Sequence, residues 1–304
     1  MLGWKFESSF LVTMAEGVFN IDKPAGLTSH DVVDKLRWIV EMRRVGHSGT
    51  LDPLATGVLL ICVGRATRLV EYLVGQRKRY KATVRLGRET DTFDAEGQVV
   101  SERSITATLN EINNALDGFR GEITQLAPRY SAIKVDGEPL YKRARRGEIP
   151  ERPERQVTVY ELELSDWISP LLKIDLTCSS GTYVRSIAHD LGQVLGCGGH
   201  LSELRRISIG DFSQEDAVSL NTLNHENWPD HIMPMEIAVR HLPRVDVPVE
   251  QAIKLYHGQL LPSPTEWKDG DLLRLYDDQS RFVGIVTFDT GHYRAKKIFY
   301  KPDL

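Results

Sequence analysis

Hydrophobic residues near the start of the chain change from strand-like to helix-like spacing. The apolar run 18–21 is followed by Asp, Pro and Gly residues, which predicts a strand that ends in a turn. Thr28 and Asp31 have the spacing of a capping box, in which a threonine oxygen and an acidic side chain satisfy the first backbone amides of a helix. Apolar residues then recur at helical spacing to about Glu41, which predicts an amphipathic helix.

Both spacings continue along the rest of the chain, with long intervals between the predicted strands. Alternating or short apolar segments predict strands at residues 58–63 (with the start of a packed helix as the alternative), 79–86, 156–163, 171–178, 181–185, 272–276, 282–288 and 297–300. Helical spacing predicts helices at residues 67–74, 105–119 and 186–195, and loops are predicted at 44–56, 90–97 and 196–199. The mixture predicts an α+β fold, and no internal repeat is present.

A change in residue pattern along the chain predicts two domains of different size. From about Arg240 the chain consists of short strands separated by turn residues, which is typical of a small β-barrel. We therefore expect a large domain at residues 14–240, with a basic insertion around 120–155, and a small C-terminal domain at 241–304. Residues 1–13 precede the ordered pattern and are interpreted as a disordered leader or a start-site extension.

Composition places the chain among ordinary globular proteins, with 41% hydrophobic and 26% charged residues. No apolar run of about 18 residues is present, so we expect no membrane span. Cys62, Cys178 and Cys197 form no metal-binding motif, and we expect them to be reduced, buried thiols of a cytoplasmic protein. We also expect no metal ion and no nucleotide cofactor, because the phosphate-binding and dinucleotide-binding glycine motifs are absent.

The distribution of charge changes the meaning of the formal net charge of −4. Residues 43–88 contain ten basic and two acidic side chains, whereas residues 211–278 contain thirteen acidic and five basic ones. A second basic cluster consists of Lys142, Arg143, Arg145 and Arg146. This asymmetry indicates a face that binds a polyanion such as RNA, although a run of charges is also typical of any solvated surface.

One loop contains the main candidate for chemistry. Asp52 lies in a glycine-rich segment and is the only acidic residue between Arg43 and Arg68. A carboxylate surrounded by cations stays ionised and can act as a nucleophile or a base. An Asp-Pro pair in a loop is also a common structural turn, so both interpretations stay open on the residues alone.

Five segments in order along the chain resemble the motifs of TruB-type pseudouridine synthases, the tRNA pseudouridine-55 synthase family. They lie at residues 20–31, 46–57, 79–97, 178–186 and 196–206. The resemblance implies a pseudouridine synthase fold: a central mixed, mostly antiparallel sheet flanked by helices and loops, plus a small PUA-like β-barrel at the C-terminus. It also implies that the uridine at position 55 of the TΨC loop of tRNAs is flipped out and isomerised to pseudouridine.

The same resemblance implies catalytic roles for three residues. Asp52 is expected to be the nucleophile, attacking either the ribose C1′ or the uracil ring. Tyr80 is expected to stack on the target base and to help remove the proton from C5. Arg185 is expected to pair with Asp52 and to keep it ionised at neutral pH. From the residues alone, Tyr80 is equally a packed strand residue and Arg185 an ordinary surface residue.

Substrate-binding residues follow from the resemblance in the same way. Tyr183 and Leu204 are expected to line the uridine pocket, and His47 to stack in the space that the target nucleotide leaves. Phosphate contacts are expected from Arg43, Arg44, Lys142, Arg143, Arg145 and Arg146. Leu204 is otherwise a core leucine, and the acidic residues Asp91, Asp94 and Glu96 are interpreted as a solvated turn.

Three functions stay open at this point. The first is a stand-alone enzyme that binds the T-arm of tRNA as a monomer without obligate protein partners. The second is a dyskerin-like synthase that works with guide RNA and partner proteins, and the short C-terminal region disfavours it. The third is a non-catalytic chaperone of tRNA folding, which the joint presence of Asp52, Tyr80 and Arg185 disfavours.

Overall fold

The protein, seen in a computed structural model, is described over residues 16–131, 133–135, 137–148 and 151–299. The predicted leader, residues 1–13, lies outside the described residues. The strands are β1 (Gly17–Lys23), β2 (Val45–His47), β3 (Thr56–Val63), β4 (Lys78–Leu86), β5 (Arg88–Thr90), β6 (Val99–Glu102), β7 (Gly121–Leu126), β8 (Lys134–Val135), β9 (Glu138–Pro139), β10 (Glu154–Ile168), β11 (Leu171–Cys178), β12 (Gly199–Ile209), β13 (Phe212–Ser213), β14 (Val218–Ser219), β15 (Arg244–Val247), β16 (Leu261–Pro262), β17 (Leu272–Asp277), β18 (Phe282–Asp289) and β19 (His292–Ile298). The α-helices are α1 (Ser29–Ile39), α2 (Val70–Val74), α3 (Leu109–Asp117), α4 (Leu140–Arg145), α5 (Val184–Val194) and α6 (Val249–Tyr256).

A ten-stranded mixed sheet forms the centre of the molecule. Its order is β14-β1-β3-β12-β4-β11-β10-β7, with β2 paired to β3 and β13 paired to β12. The β1–β14 and β3–β12 pairs are parallel and the other pairs are antiparallel. The expected mixed, mostly antiparallel sheet is therefore confirmed, and β3, β12 and β4 lie side by side at its middle.

Helices cover the sheet through two apolar clusters. One cluster joins α1 to β1 and β3, and contains Leu36, Phe19 and Leu59. The other joins α3 and α5 to β4, β10, β11 and β12, and contains Leu116 and Ile187. Because buried apolar area removed from water stabilises a fold by roughly 25 cal/mol per Å², these two clusters fix the helices on the sheet.

The C-terminal region forms a second, five-stranded sheet in the order β15-β17-β18-β19-β16. It packs on the main sheet through Ile285 and Phe299, which belong to the same apolar cluster as residues of β3. Two arginines of the basic stretch fasten it in place. Arg65 donates to the carbonyl of Phe299 at 2.7 Å and Arg68 donates to that of Ile298 at 3.0 Å. These two side chains bind the C-terminal sheet, so fewer of the ten cations at residues 43–88 are available to a polyanion than the charge count suggested.

Several predicted elements are confirmed. Thr28 caps α1 and the reciprocal bond from the Thr28 amide to the Asp31 carboxylate is present, as the capping-box pattern predicted. Residues 58–63 belong to strand β3 and not to a packed helix. The predicted helix 105–119 is shorter, because Thr108 caps α3 with Glu111 as its partner.

Other predictions are wrong. Residues 181–185 form no strand: Gly181 adopts a φ of +86° in a turn, and α5 begins at Val184. The predicted loop 44–56 contains the short strand β2, and strand β12, which follows the turn 196–199, was not predicted. Helix α6 in the C-terminal region was also missed.

Candidate active site

A cavity of about 210 Å³ opens where the β2–β3 loop meets the first residues of β4, the middle of β12 and the start of α5. Five of the predicted site residues line it: Asp52, Tyr80, Tyr183, Arg185 and Leu204. These residues come from four segments that are far apart in the sequence. The structure therefore brings together the three predicted catalytic residues and two of the predicted binding residues.

Asp52 and Arg185 form the ion pair that the resemblance implied. Arg185 Nη2 lies 3.5 Å from Asp52 Oδ2, and the arginine side chain is 5% exposed while that of Asp52 is 34% exposed. Arg185 reaches the loop from the first turn of α5, where Tyr183 occupies the cap position. The carboxylate thus faces the cavity, and the guanidinium lies in the wall behind it.

Asp94 is a buried partner of the same arginine. Arg185 Nη1 lies 3.3 Å from Asp94 Oδ2, and the Asp94 side chain is 4% exposed. The other carboxylate oxygen accepts hydrogen bonds from the Thr92 hydroxyl and the Glu96 amide, at 2.6 and 3.1 Å. The interpretation of Asp91, Asp94 and Glu96 as a solvated turn is therefore wrong for Asp94. The segment is a turn, but this carboxylate points into the protein because Arg185 lies there.

The electrostatics of Asp52 differ from the sequence prediction. Burial raises the pKa of the Asp52 carboxyl, Arg185 lowers it, and the negative charge of Asp94 raises it again. The net shift is upward, so the basic surroundings in the sequence do not by themselves keep this group ionised. Arg185 opposes the effect of burial, and its charge is shared with Asp94.

Tyr80 and Leu204 lie on neighbouring strands, β4 and β12. Tyr80 is 7% exposed and Leu204 is 9% exposed, so both are largely buried in the wall of the cavity. Burial raises the pKa of the Tyr80 phenol, which is therefore neutral at neutral pH. Both interpretations of Tyr80 apply, since it packs in the core of the sheet and also faces the cavity.

Tyr183 is held at the cavity by hydrogen bonds of its backbone. Its amide donates to Gln125 Oε1 at 2.9 Å, and its carbonyl accepts from Gln125 Nε2 at 3.2 Å. The guanidinium carbons of Arg155 and Arg185 each lie 5.9 Å from the centre of its ring. Two cations therefore lie near the Tyr183 ring at the cavity.

His47 lies beside the cavity and is not among the residues that line it. Its Nδ1 accepts a hydrogen bond from the Gly49 amide at 3.3 Å, within the loop that carries Asp52. Burial lowers the pKa of the imidazole, and the nearby Arg206 lowers it further. A neutral ring at the base of the loop follows from these two effects.

The predicted phosphate-binding residues differ in their surroundings. Arg43 and Lys142 are exposed, and the exposed Arg44 donates to the Thr67 hydroxyl at 2.8 Å. Arg146 lies 2.6 Å from Glu138, and both Arg146 and Arg143 contact Glu148, at 2.8 and 2.9 Å. The side chain of Arg145 lies outside the described part of the chain. Two of the predicted cations are thus already paired with carboxylates.

Sequence reasoning missed four further groups at this site. The carbonyl of Tyr130, from the basic insertion, accepts from Arg185 Nη2 at 2.6 Å. Lys78 and Arg206 line the cavity from below Tyr80, and both are buried. Lys23 is fully buried, and its Nζ donates to the carbonyls of Pro24 and Pro53 at 2.8 and 3.3 Å. Lys23 and Arg206 lie in segments that carry the family resemblance, whereas Lys78 and Tyr130 lie outside them.

Three further features concern the cysteines, possible metal ligands and possible membrane-spanning helices. All three cysteines are free and buried, as predicted. Within residues 16–131, 133–135, 137–148 and 151–299, no cluster of His, Cys, Asp and Glu side chains is suited to hold a metal ion. Among the helices of the same ranges, none has the length and apolar character needed to cross a membrane.

Family models match nearly the whole of the described chain. Residues 37–184 match the TruB family pseudouridylate synthase N-terminal domain. Residues 185–253 match the tRNA pseudouridylate synthase B C-terminal domain, and residues 243–297 match the C-terminal domain of pseudouridine synthase II TruB. The first match contains Asp52, Tyr80 and Asp94, and the second contains Arg185 and Leu204.

Three curated relatives share one name. A tRNA pseudouridine synthase B of Pseudomonas aeruginosa is 42% identical, covering 93% of this chain and 95% of the relative. Proteins of the same name from Clostridium kluyveri and Haemophilus influenzae are 40% and 39% identical, each over 93% of this chain and over 99% and 95% of their own lengths.

Two solved structures share the fold of this chain. A chain of an H/ACA RNP bound to a substrate RNA containing 2′-deoxyuridine superposes with a TM-score of 0.74 at 27% identity, over 94% of this chain and 86% of the other. A chain of a Cbf5-Nop10-Gar1 complex gives 0.74 at 28% identity, over 97% and 88%. These structures have the same arrangement of elements over almost the full length.

Proposed function

Because this chain belongs to the TruB family of pseudouridine synthases, we propose that it isomerises the uridine at position 55 in the TΨC loop of tRNAs to pseudouridine. The observation that carries the proposal is the pairing of Asp52 with Arg185 at a cavity that Tyr80, Tyr183 and Leu204 also line. The relatives named tRNA pseudouridine synthase B, at about 40% identity over most of the chain, support tRNA as the substrate.

In the proposed reaction Asp52 is the nucleophile. The bond between N1 of uracil and C1′ of the ribose breaks, the ring rotates, and a bond forms between C5 and C1′. The proton leaves C5 and N1 gains one, so atoms and electrons balance without an oxidant or a reductant. The Asp52 carboxylate attacks either C1′ or the uracil ring, and both routes require its ionised form.

Arg185 supports that ionised form. Burial and Asp94 raise the pKa of Asp52, and Arg185 lowers it. Removing the guanidinium would leave two carboxylates near each other in a partly buried site, which favours protonation of one of them. Its contacts with Asp94 and with the carbonyl of Tyr130 hold the guanidinium in place for this task.

The remaining cavity residues are proposed to bind the flipped nucleotide. Tyr80 stacks on the target base and helps to remove the C5 proton after the ring has rotated. Tyr183 and Leu204 line the pocket around the uracil. His47, a neutral ring beside the loop, fills the space that the nucleotide leaves, and this stacking offsets part of the few kcal/mol that flipping costs.

Phosphate contacts are proposed for two groups of cations, Arg43 with Arg44, and Lys142 with Arg143, Arg145 and Arg146. Exposure of Arg43, Arg44 and Lys142 supports the proposal. Arg143 and Arg146 would have to exchange their carboxylate partners for phosphate. We therefore expect a smaller contribution to tRNA affinity from these two residues than from Arg43 and Lys142.

The organisation of the protein is proposed as follows. Residues 14–240 form the catalytic domain, with an RNA-binding insertion around 120–155, and residues 241–304 form a PUA-like domain. The chain acts as a monomer in the cytoplasm, without obligate protein partners. The relatives named tRNA pseudouridine synthase B support action on tRNA without a guide RNA. The structural neighbour from an H/ACA RNP, at 27% identity, would instead point to the guide-RNA route.

Release of tritium from C5-labelled uridine in a tRNA transcript tests the function. The purified chain alone, without guide RNA or other proteins, is expected to release one equivalent of label per tRNA. A transcript with cytidine at position 55 serves as the control and should release none. Release that requires guide RNA and partner proteins would favour the dyskerin-like alternative, and tRNA binding without any release would favour the chaperone.

A further inference from the structure

Arg206 is a fully buried cation at the centre of the main sheet. It is 1% exposed, and it lies on β12 with Gly57 of β3 as its neighbour on one side and Tyr80 of β4 on the other. The ladder between β12 and β4 shifts register directly after this residue. Alternation along β12 places Arg206 on the same face as Leu204, and both residues line the cavity.

Three interactions of this guanidinium join separate parts of the site. Its Nε donates to the carbonyl of Val58 at 2.6 Å, just after the loop that carries Asp52. Its Nη2 donates to the carbonyl of Gly49 at 3.2 Å, just before Asp52 in the same loop. The guanidinium belongs to the residue paired with Tyr80 across the β12–β4 ladder, and its positive charge lowers the pKa of the Tyr80 phenol against the effect of burial. One planar group therefore binds both ends of the Asp52 loop and lies close to Tyr80.

We propose that Arg206 is a positioning residue that fixes the Asp52 loop and Tyr80 relative to each other. This inference rests on the proposed function, since positioning has a kinetic meaning only if Asp52 and Tyr80 act on one substrate. The planar fork of an arginine can serve the two carbonyls of Val58 and Gly49 at once, whereas a lysine ammonium is a point charge on a flexible stem. A lysine at position 206 would therefore keep the positive charge but would not hold the Asp52 loop in the same way.

Arg205 provides a matched control on the same strand. Adjacent residues of a strand point to opposite faces, and Arg205 faces away from the cavity. Its Nη atoms lie 3.1 and 3.0 Å from the carboxylate of Asp22, and its side chain is 38% exposed. Arg205 also donates to the Thr56 hydroxyl at 3.4 Å, where β3 begins, but it contacts neither Gly49 nor Val58. An Arg205→Lys variant therefore changes the same side chain in the same strand without removing the two bonds that Arg206 makes to the ends of the Asp52 loop.

The experiment compares Arg206→Lys with Arg205→Lys in steady-state kinetics on the tRNA transcript. We expect Arg206→Lys to lower kcat by about 100-fold, because displacements of about 1 Å in a reacting constellation have effects of this size. The KM should stay within a few-fold of the parent, since the tRNA surface is untouched, and Arg205→Lys should match the parent in both constants. A kcat for Arg206→Lys close to that of Arg205→Lys would overturn the proposal, and so would a change confined to KM.

Hydrogen exchange of the backbone amides tests the same proposal without turnover. In Arg206→Lys the loop 49–55 should exchange faster than in the parent and in Arg205→Lys, while β18 in the C-terminal sheet should be unchanged. Unchanged exchange in 49–55, or faster exchange throughout the protein, would overturn the proposal. If the parent itself releases no tritium, the proposed function fails, and the exchange comparison still decides whether Arg206 holds the loop.

Discussion

The guanidinium of Arg185 lies 3.5 Å from the carboxylate of Asp52 and 3.3 Å from that of Asp94. One buried cation therefore serves two carboxylates, and one of them faces the cavity while the other is enclosed. The consequence is a balance of charge at Asp52: burial and Asp94 raise the pKa of its carboxyl, and Arg185 lowers it. Mutations of either partner should move that pKa in opposite directions.

Asp94→Asn should shift the acidic limb of the kcat/KM profile to lower pH. The change removes a negative charge that raises the pKa of Asp52, so the nucleophile ionises at lower pH. The control is Asp91→Asn, an exposed acid in the same turn, which should leave the limb in place. Movement of the limb to higher pH in Asp94→Asn would contradict the charge balance.

Arg185→Met should shift the same limb to higher pH, because a neighbouring cation that lowers the pKa of Asp52 is lost. Turnover at neutral pH should fall as well. The enclosed carboxylate of Asp94 also loses its cation, and breaking a buried pair destabilises a protein by about 3–5 kcal/mol. Thermal unfolding measures this second effect; Arg185→Met with an unchanged pH profile would refute the pairing with Asp52.

Gly57→Ala should destabilise the protein more than Gly26→Ala. Both glycines have positive φ, +97° and +84°, so both substitutions carry backbone strain of about 1–3 kcal/mol. Only at Gly57 would the added Cβ meet a neighbouring strand, at 2.2 Å from the carbonyl oxygen of Arg206. The free energies of unfolding of the two variants, measured in denaturant, give the effect of this close contact. Equal losses of stability would show that the contact does not contribute.

Lys23 should make the stability of the protein rise with pH in mildly alkaline solution. Burial lowers the pKa of its ammonium from 10.5 to about 8, so the unfolded chain binds this proton more tightly than the folded one. Between these two pH values the unfolded state binds more protons than the folded state, so the free energy of unfolding rises with pH. The free energy of unfolding of the parent minus that of Lys23→Met should therefore increase across this window; a constant or falling difference would contradict the effect of burial.

The sequence predicted most of the fold, and its error at residues 181–185 has a clear cause. Thr182, Tyr183 and Val184 are residue types that favour strands, so local propensity predicted one. In the structure Gln125, 58 residues away, binds both backbone groups of Tyr183 and fixes it at the start of α5. Tertiary contacts of this kind have no local signature, which is why Arg185 was placed on the wrong type of element.

At the site, the predictions identified the loop and its nucleophile but not the groups beneath them. Asp94 stands among residues typical of a turn, and its inward direction depends on Arg185, which is 91 positions away. For Arg206 the sequence contains a local signal of the direction in which its side chain points. If residues 199–209 are read as a strand, alternation places Leu204 and Arg206 on one face and Arg205 on the other.

The most direct test of the account is the turnover of Asp52→Asn, measured by tritium release alongside tRNA binding. The amide keeps the size and shape of the side chain but cannot act as the nucleophile, so release should fall by at least about 10³-fold. Binding of the tRNA should stay close to that of the parent, because the cavity wall and the cationic surface are unchanged. Substantial release by Asp52→Asn would place the nucleophile elsewhere and contradict the account.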